Sequence, residues 1–157
     1  MSKPILDVID KKIISLLIKN ARMPFLEIAR ECGVSGAAIH QRVKKLEETG
    51  VIIGAHLRID PAALGYTISA YMGIRISDAS FYNTTVESLR QIPEVVGCHF
   101  ITGKYNAMLK VHCFDNEHLM QVVFDKILQI KGVAQTETFI SLLMAFERPV
   151  DIEIDRP

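Results

Sequence analysis

His40, Gln41, Arg42, Lys44 and Lys45 fall within six residues, directly after Ser35, Gly36 and Ala37. These are side chains of the kind that read nucleic acid. A Gln amide pairs with an adenine edge, Lys or His donates to guanine acceptors, and Arg or Lys meets phosphate or a nearby carboxylate. Small residues at the start of the stretch let its backbone come close to a partner. A second group is Thr102-Gly103-Lys104-Tyr105-Asn106, with Thr136 and Thr138 further on. Gly103 can expose backbone N–H groups to a carboxylate, and the Asn106 amide can accept from an ammonium group. Thr136 and Thr138 are two apart, so on a strand both hydroxyls share a face. Each group also has a plainer reading. The first fits a solvated helix face, and the second a four-residue hairpin turn made from Gly and Asn.

The other reactive side chains make no comparable pattern. His40, His56, His99, His112 and His118 have no metal-site spacing with another His or Cys, although His99 and His112 could meet across two strands. Cys32, Cys98 and Cys113 are odd in number and far apart, which suits reduced, mostly buried thiols and a cytoplasmic setting. There is no Ser/His/Asp or Cys/His arrangement, no phosphate loop and no carboxylate pair placed for acid–base work. The expectation is no enzyme, no catalytic residue, no metal and no cofactor. No apolar run is long enough to span a membrane, and the start of the chain does not read as a signal peptide.

The elements that would carry the first group are three helices. Asp7 is a candidate N-cap with Asp10 three residues on, and Leu6, Ile9, Ile13, Leu16 and Leu17 form one stripe as far as about Asn20. Pro24 opens a second helix with Phe25, Ile28, Ala29 and Cys32 on one side, and Gly33 suits the left-handed position after it. Ser35 caps a third helix with the stripe Ile39, Val43 and Leu46, ended by Gly50. Helix, short turn, helix is the helix-turn-helix arrangement, and double-stranded DNA is its partner. Net charge over the whole chain is zero, but residues 1–60 carry ten Lys/Arg against seven Asp/Glu, so the positive excess lies with this module.

Residues 51–60 read as a strand, and Asp60-Pro61 to Gly65 as a hinge. This divides the chain into a DNA-binding domain over 1–60, a hinge to 65, and a second domain over 66–157. In the second domain Ile68, Ala70, Met72, Ile74 and Ile76 alternate with more polar residues, as in a strand with one apolar face. A helix marked by Tyr82, Val86 and Leu89 follows. Strands come next at 95–102 and 107–114, then a helix capped by Asp115 or Asn116 with Leu119, Val123, Ile127 and Ile130, and a strand at 133–147. The order βαββαβ is the ferredoxin-like pattern, so the fold class is α+β. Its sheet has helices on one face only. The other face needs a cover, and a second subunit would supply it, giving a homodimer.

Taken together these residues resemble the Lrp/AsnC (leucine-responsive/asparagine regulator) family of transcription regulators over about residues 5–147. The matching pieces are Leu6-Asp7-x-x-Asp10-x-x-Ile13-Ile14-x-x-Leu17, then Arg22, Ile28-Ala29 and Val34-Ser35. They continue with Arg42-Val43-x-x-Leu46-Glu47-x-x-Gly50-Val51-Ile52, Asp60-Pro61-x-x-Leu64-Gly65, Thr102-Gly103-x-Tyr105 and Thr136-x-Thr138. The resemblance implies a winged-helix-like DNA-binding domain joined to an oligomerising domain that binds a small molecule. It also implies dimers that assemble further, commonly to octamers. On that basis Ser35, Gly36, Ala37, His40, Gln41, Arg42, Lys44 and Lys45 are the DNA-binding candidates. Gly103, Tyr105, Asn106, Thr136 and Thr138 are the candidates for an amino-acid effector site between dimers. Asn106 departs from the family, which usually has Asp there, and removes a negative charge from a site meant for an amine. The function expected is sequence-specific transcription regulation in response to a small molecule. Two alternatives stand beside it: an effector-independent DNA-organising protein, and a haem-precursor decarboxylase-like enzyme on the same frame.

Overall fold

The computed structural model describes residues 4–152. The chain falls into two units, one of residues up to Leu57 together with those from Phe146 on, the other Arg58–Ala145.

The first unit is built from α1 (Val8–Lys19), α2 (Phe25–Cys32) and α3 (Gly36–Glu48). Asp7 starts α1 with a reciprocal box. Its carboxylate accepts from the Asp10 N–H at 2.8 Å, and the Asp10 carboxylate accepts from the Asp7 N–H at 3.2 Å, which satisfies two N–H groups that a helix start leaves open. Gly33 ends α2 at φ 67°, where a Cβ would be strained. Ser35 Oγ accepts from the Ala38 N–H at 3.2 Å and starts α3. The three helices close over Ile13, Ile28, Ala29, Ile39, Val43 and Leu46. Ile152, from the far end of the chain, packs against the same cluster.

In the second unit β1 (Ile68–Ile76), β2 (Val95–Phe100), β3 (Ala107–Cys113) and β4 (Val133–Ile140) form an antiparallel sheet in the order β2-β3-β1-β4. Ala70, Met72 and Ile74 of β1 and Ala107, Leu109 and Val111 of β3 are fully buried under α4 (Tyr82–Arg90) and α5 (Asn116–Gln121), with Leu89, Leu119, Val122 and Ile127. α5 runs on as a π turn over Val122–Ile127. This is the expected ferredoxin-like α+β arrangement. Cys113 is buried in the core and its thiol is pushed up to about 11, first by burial and then by the Glu94 carboxylate.

Several sequence expectations are corrected here. Residues 51–60 form no strand: Ile53 is 90% exposed and Leu57 70%. Alternation alone does not make a strand, since its N–H and C=O groups need a neighbouring chain to pair with. The strand expected at 133–147 stops at Ile140, where pairing with β1 ends at Ala70. β2 stops at Phe100 rather than 102, because the loop to β3 begins there. The last helix closes at Ile127, not at 130. Contacts also divide the chain differently from 1–60, hinge and 66–157. Residues 58–65, which take in the expected hinge, group with the sheet, and residues 146–152 group with the helices. Residues 153–157 lie outside the described part.

A buried charge sits at one end of the sheet. Glu94 is 9% exposed. Its Oε1 accepts from Lys126 Nζ at 2.7 Å and lies 3.0 Å from His118 Nε2. Burial alone would raise its pKa, but Lys126, the residue's own backbone N–H and His118 together outweigh that and hold the carboxyl below its ordinary value. A depressed carboxyl stabilises the fold above the unfolded-state pKa, and that stabilisation disappears as pH falls through the folded-state value. Glu94→Gln should therefore cost about 1–3 kcal/mol near pH 7. Urea unfolding should show this gap closing in acid, where wild type loses the same contribution. A gap that persists unchanged in acid would assign the loss to shape, not charge.

Candidate functional site

The stripe Ile39, Val43 and Leu46 fixes which side of α3 faces outward. With about 100° between successive residues, Ala37, Gln41, Lys44 and Glu48 form the row opposite the core. Ala37, His40, Gln41, Lys44 and Lys45 are all exposed, and so is the capping Ser35. Lys44 lies 3.8 Å from Glu48 one turn on, a solvent-exposed pair that holds it weakly. His40 lies on the α2 side, where its ring meets Phe25 edge-on at 4.9 Å. Lys45 and Gln41 line a groove with Ala38, Arg42, Asp7 and Asp10, on the α1 side. Arg42 is turned fully toward that side. Its Nη1 donates to Asp7 Oδ2 at 2.7 Å and to Asp10 Oδ1 at 2.6 Å. Of the two roles open to Arg42 in the sequence, phosphate or carboxylate, these bonds are to carboxylate. Asp7 in turn is held below its usual range, first by the Asp10 N–H and then by Arg42.

The second group is less unified. In an antiparallel pair, directly opposed residues share a face. Thr136 pairs with Ile74 and Thr138 with Met72, so both threonines lie on the helix-covered face of β4, at the edge of the sheet. Tyr105 lies on the other face. Its ring sits on Gly73, where an added Cβ would come within 2.6 Å of ring carbons. Gly73 opposes Glu137 and Met108, which mark that open face. Tyr105 is buried, and its hydroxyl has no hydrogen-bond partner among the described residues. Asn106 holds the loop in place. Its Oδ1 accepts from the Ile76 N–H at 2.7 Å and its Nδ2 donates to the Tyr82 hydroxyl at 2.9 Å. Gly103 is exposed at φ 115°. The sheet thus separates Tyr105 from the two threonines.

Two residues outside the expected set meet beside this loop. Lys104 Nζ donates to Glu137 Oε2 at 2.5 Å and lies 5.0 Å from the centre of the Tyr105 ring. Parity along β4 separates Glu137 from Thr136 and Thr138 and puts it with Tyr105, a signal available once β4 is paired to β1. His99 and His112 do not meet: His99 is opposite Met108, and His112 is opposite Ser69.

Comparison with known proteins adds to this geometry. Residues 6–47 match the AsnC-type helix-turn-helix domain, and residues 69–151 match the Lrp/AsnC ligand binding domain. The chain is 34% identical over 142 residues to the regulatory protein AsnC of Escherichia coli, covering 90% of this chain and 93% of that one. It is 38% identical over 138 residues to the transcriptional regulator FL11 of Pyrococcus furiosus, covering 88% and 90%. The solved structure of E. coli AsnC superposes with a TM-score of 0.87 at 33% identity, over 94% of this chain and 99% of that one. A Neisseria meningitidis transcriptional regulator solved with L-Met shares the fold, at a TM-score of 0.85 and 23% identity over 92% and 94%. A helix-turn-helix of this geometry, followed by a one-sided ferredoxin-like sheet and matched along nearly its whole length, places the chain in the Lrp/AsnC family of transcriptional regulators.

Proposed function

We propose that α3 reads DNA in the major groove through Ala37, Gln41 and Lys44, flanked by Ser35, Gly36, His40 and Lys45, and that an amino acid bound at the 102–106 loop modulates this. The observation that carries the DNA reading is the outward row itself. It starts at a capped helix N-terminus with small residues, continues through an amide, and reaches a lysine one turn later. Gln41 suits an adenine edge, and Lys44 a guanine or a phosphate. A second copy of the chain covering the open sheet face would pair two such helices at half-sites about 10 bp apart or a multiple of it. Further assembly toward an octamer belongs to the same reading.

For the effector, Lys104 and Glu137 offer a cation and an anion side by side over Tyr105. A zwitterionic α-amino acid can replace each partner in that exposed pair: carboxylate to Lys104 and the Gly103 backbone, ammonium to Glu137. The Neisseria regulator solved with L-Met supports an amino acid as the class. Asn106 then serves the site by holding the loop. Thr136 and Thr138, on the other face, would reach a ligand only at the sheet edge, where another subunit could complete the pocket.

Three measurements test these assignments. Lys44→Ala should weaken binding to any duplex and reduce the slope of log K against log salt by about one if Lys44 meets a phosphate; an unchanged slope removes that contact. Gln41→Ala should alter the base preference in a binding-site selection. Titration of the twenty amino acids into wild type by calorimetry should find a ligand. Glu137→Gln should weaken that ligand by roughly ten- to a hundred-fold, the worth of a charged hydrogen bond. Equal affinity in the variant would move the ammonium site away from Glu137.

A further inference from the structure

Of the cations on α3, Arg42 is bound to its own chain rather than offered outward. One guanidinium nitrogen donates to two carboxylates 35 and 32 residues earlier in the chain. Both carboxylates belong to the box that starts α1, so the contact is anchored at a fixed helix end. Asp10 is the more enclosed of the two, with 14% of its side chain exposed. The core stripe of α3 seats that helix by apolar packing, an attraction that is not directional in itself. A pair of charge-assisted hydrogen bonds on the flank is directional and resists rotation about the helix axis. Gln41 precedes Arg42 in the chain and lines the same groove beside Asp7 and Asp10, so a turn of α3 about its axis would swing Gln41 directly.

We infer that Arg42 is a positioning residue for DNA recognition: bonded to Asp7 and Asp10, it fixes the rotation of α3 and hence which base Gln41 faces, without touching DNA. The inference rests on the reading that α3 enters the groove. Lys45 lines the same groove, so with Arg42 bonded to both carboxylates a phosphate contact on this flank falls to Lys45 rather than to Arg42.

The test compares full-length wild type with Arg42→Gln, Arg42→Lys, Asp10→Asn and Lys44→Ala. Each is titrated at several salt concentrations against the duplex selected by wild type and against a random duplex. Arg42→Gln should lose roughly ten-fold or more on the selected duplex, the scale of a misread base pair. Its salt slope should stay near the wild-type value, and its loss on the random duplex, from the missing charge alone, should be much smaller than its loss on the selected one. Asp10→Asn is the sharper variant. It removes a negative charge, so simple electrostatics has it bind DNA more tightly. Positioning has it lose preference for the selected duplex, as Arg42→Gln does, and has a variant carrying both Arg42→Gln and Asp10→Asn no less selective than either single one. Both bonds come from one guanidinium nitrogen, and a lysine ammonium has three donors for the same two carboxylates, so Arg42→Lys should keep much of the preference that Arg42→Gln loses. Asp10→Asn carries the test if Arg42→Gln does not fold. A slope lowered by about one in Arg42→Gln on both duplexes would make Arg42 a phosphate contact and overturn the inference. Tighter and equally selective binding by Asp10→Asn would overturn it too. A wild type with no preference between the duplexes would overturn the groove reading itself, and Lys44→Ala distinguishes this case by its slope.

Discussion

The sheet unit is organised by the pairing of β1 on both sides. Its residues alternate between a fully buried face and an open one, and β3 and β4 inherit that parity through cross-strand pairing. Ala70, Met72 and Ile74 commit one face to α4 and α5. That commitment places Gly73 on the other face, and the absence of a Cβ there is what lets the Tyr105 ring lie flat on the sheet. Glu137 follows to the same side as Tyr105, and Thr136 and Thr138 to the opposite side. A slip of β4 by one residue would exchange the two sets. The chemistry available near the 102–106 loop is therefore decided by strand register before any ligand is considered.

The parts of this arrangement that the sequence made legible are the local ones. The caps at Asp7 and Ser35 and the left-handed Gly33 each act over a few residues, so their signals and their structures coincide. The alternation of β1 was equally plain, because one face is wholly apolar. What could not be read depended on partners distant in sequence. Residues 51–60 have the composition of a strand, yet the chain gives them no ladder. That Thr136 and Thr138 share a face was legible from parity; which face needed the pairing with Met72 and Ile74. Arg42 showed only that it was a cation suited to phosphate or carboxylate, since its acceptors lie on another helix.

Asn106 shows how a residue expected at a ligand can serve its own loop instead. Asn in place of Asp looked like the loss of an anion from a ligand site. In the fold the side chain accepts from the Ile76 N–H and donates to the Tyr82 hydroxyl. An amide supplies both acceptor and donor for those two partners. The anion near the loop comes instead from Glu137, and it is already matched by Lys104.

The path of the chain carries a consequence for modularity. Residues 58–145 form one unit, and the residues on both sides of them form the other, with Ile152 returning to the helical core. In topological terms the sheet unit is an insertion, and the DNA-reading unit is discontinuous. The reader of DNA in this chain is therefore not a detachable cassette: cutting after Leu57 would yield three helices whose core lacks the residue that the far end of the chain supplies.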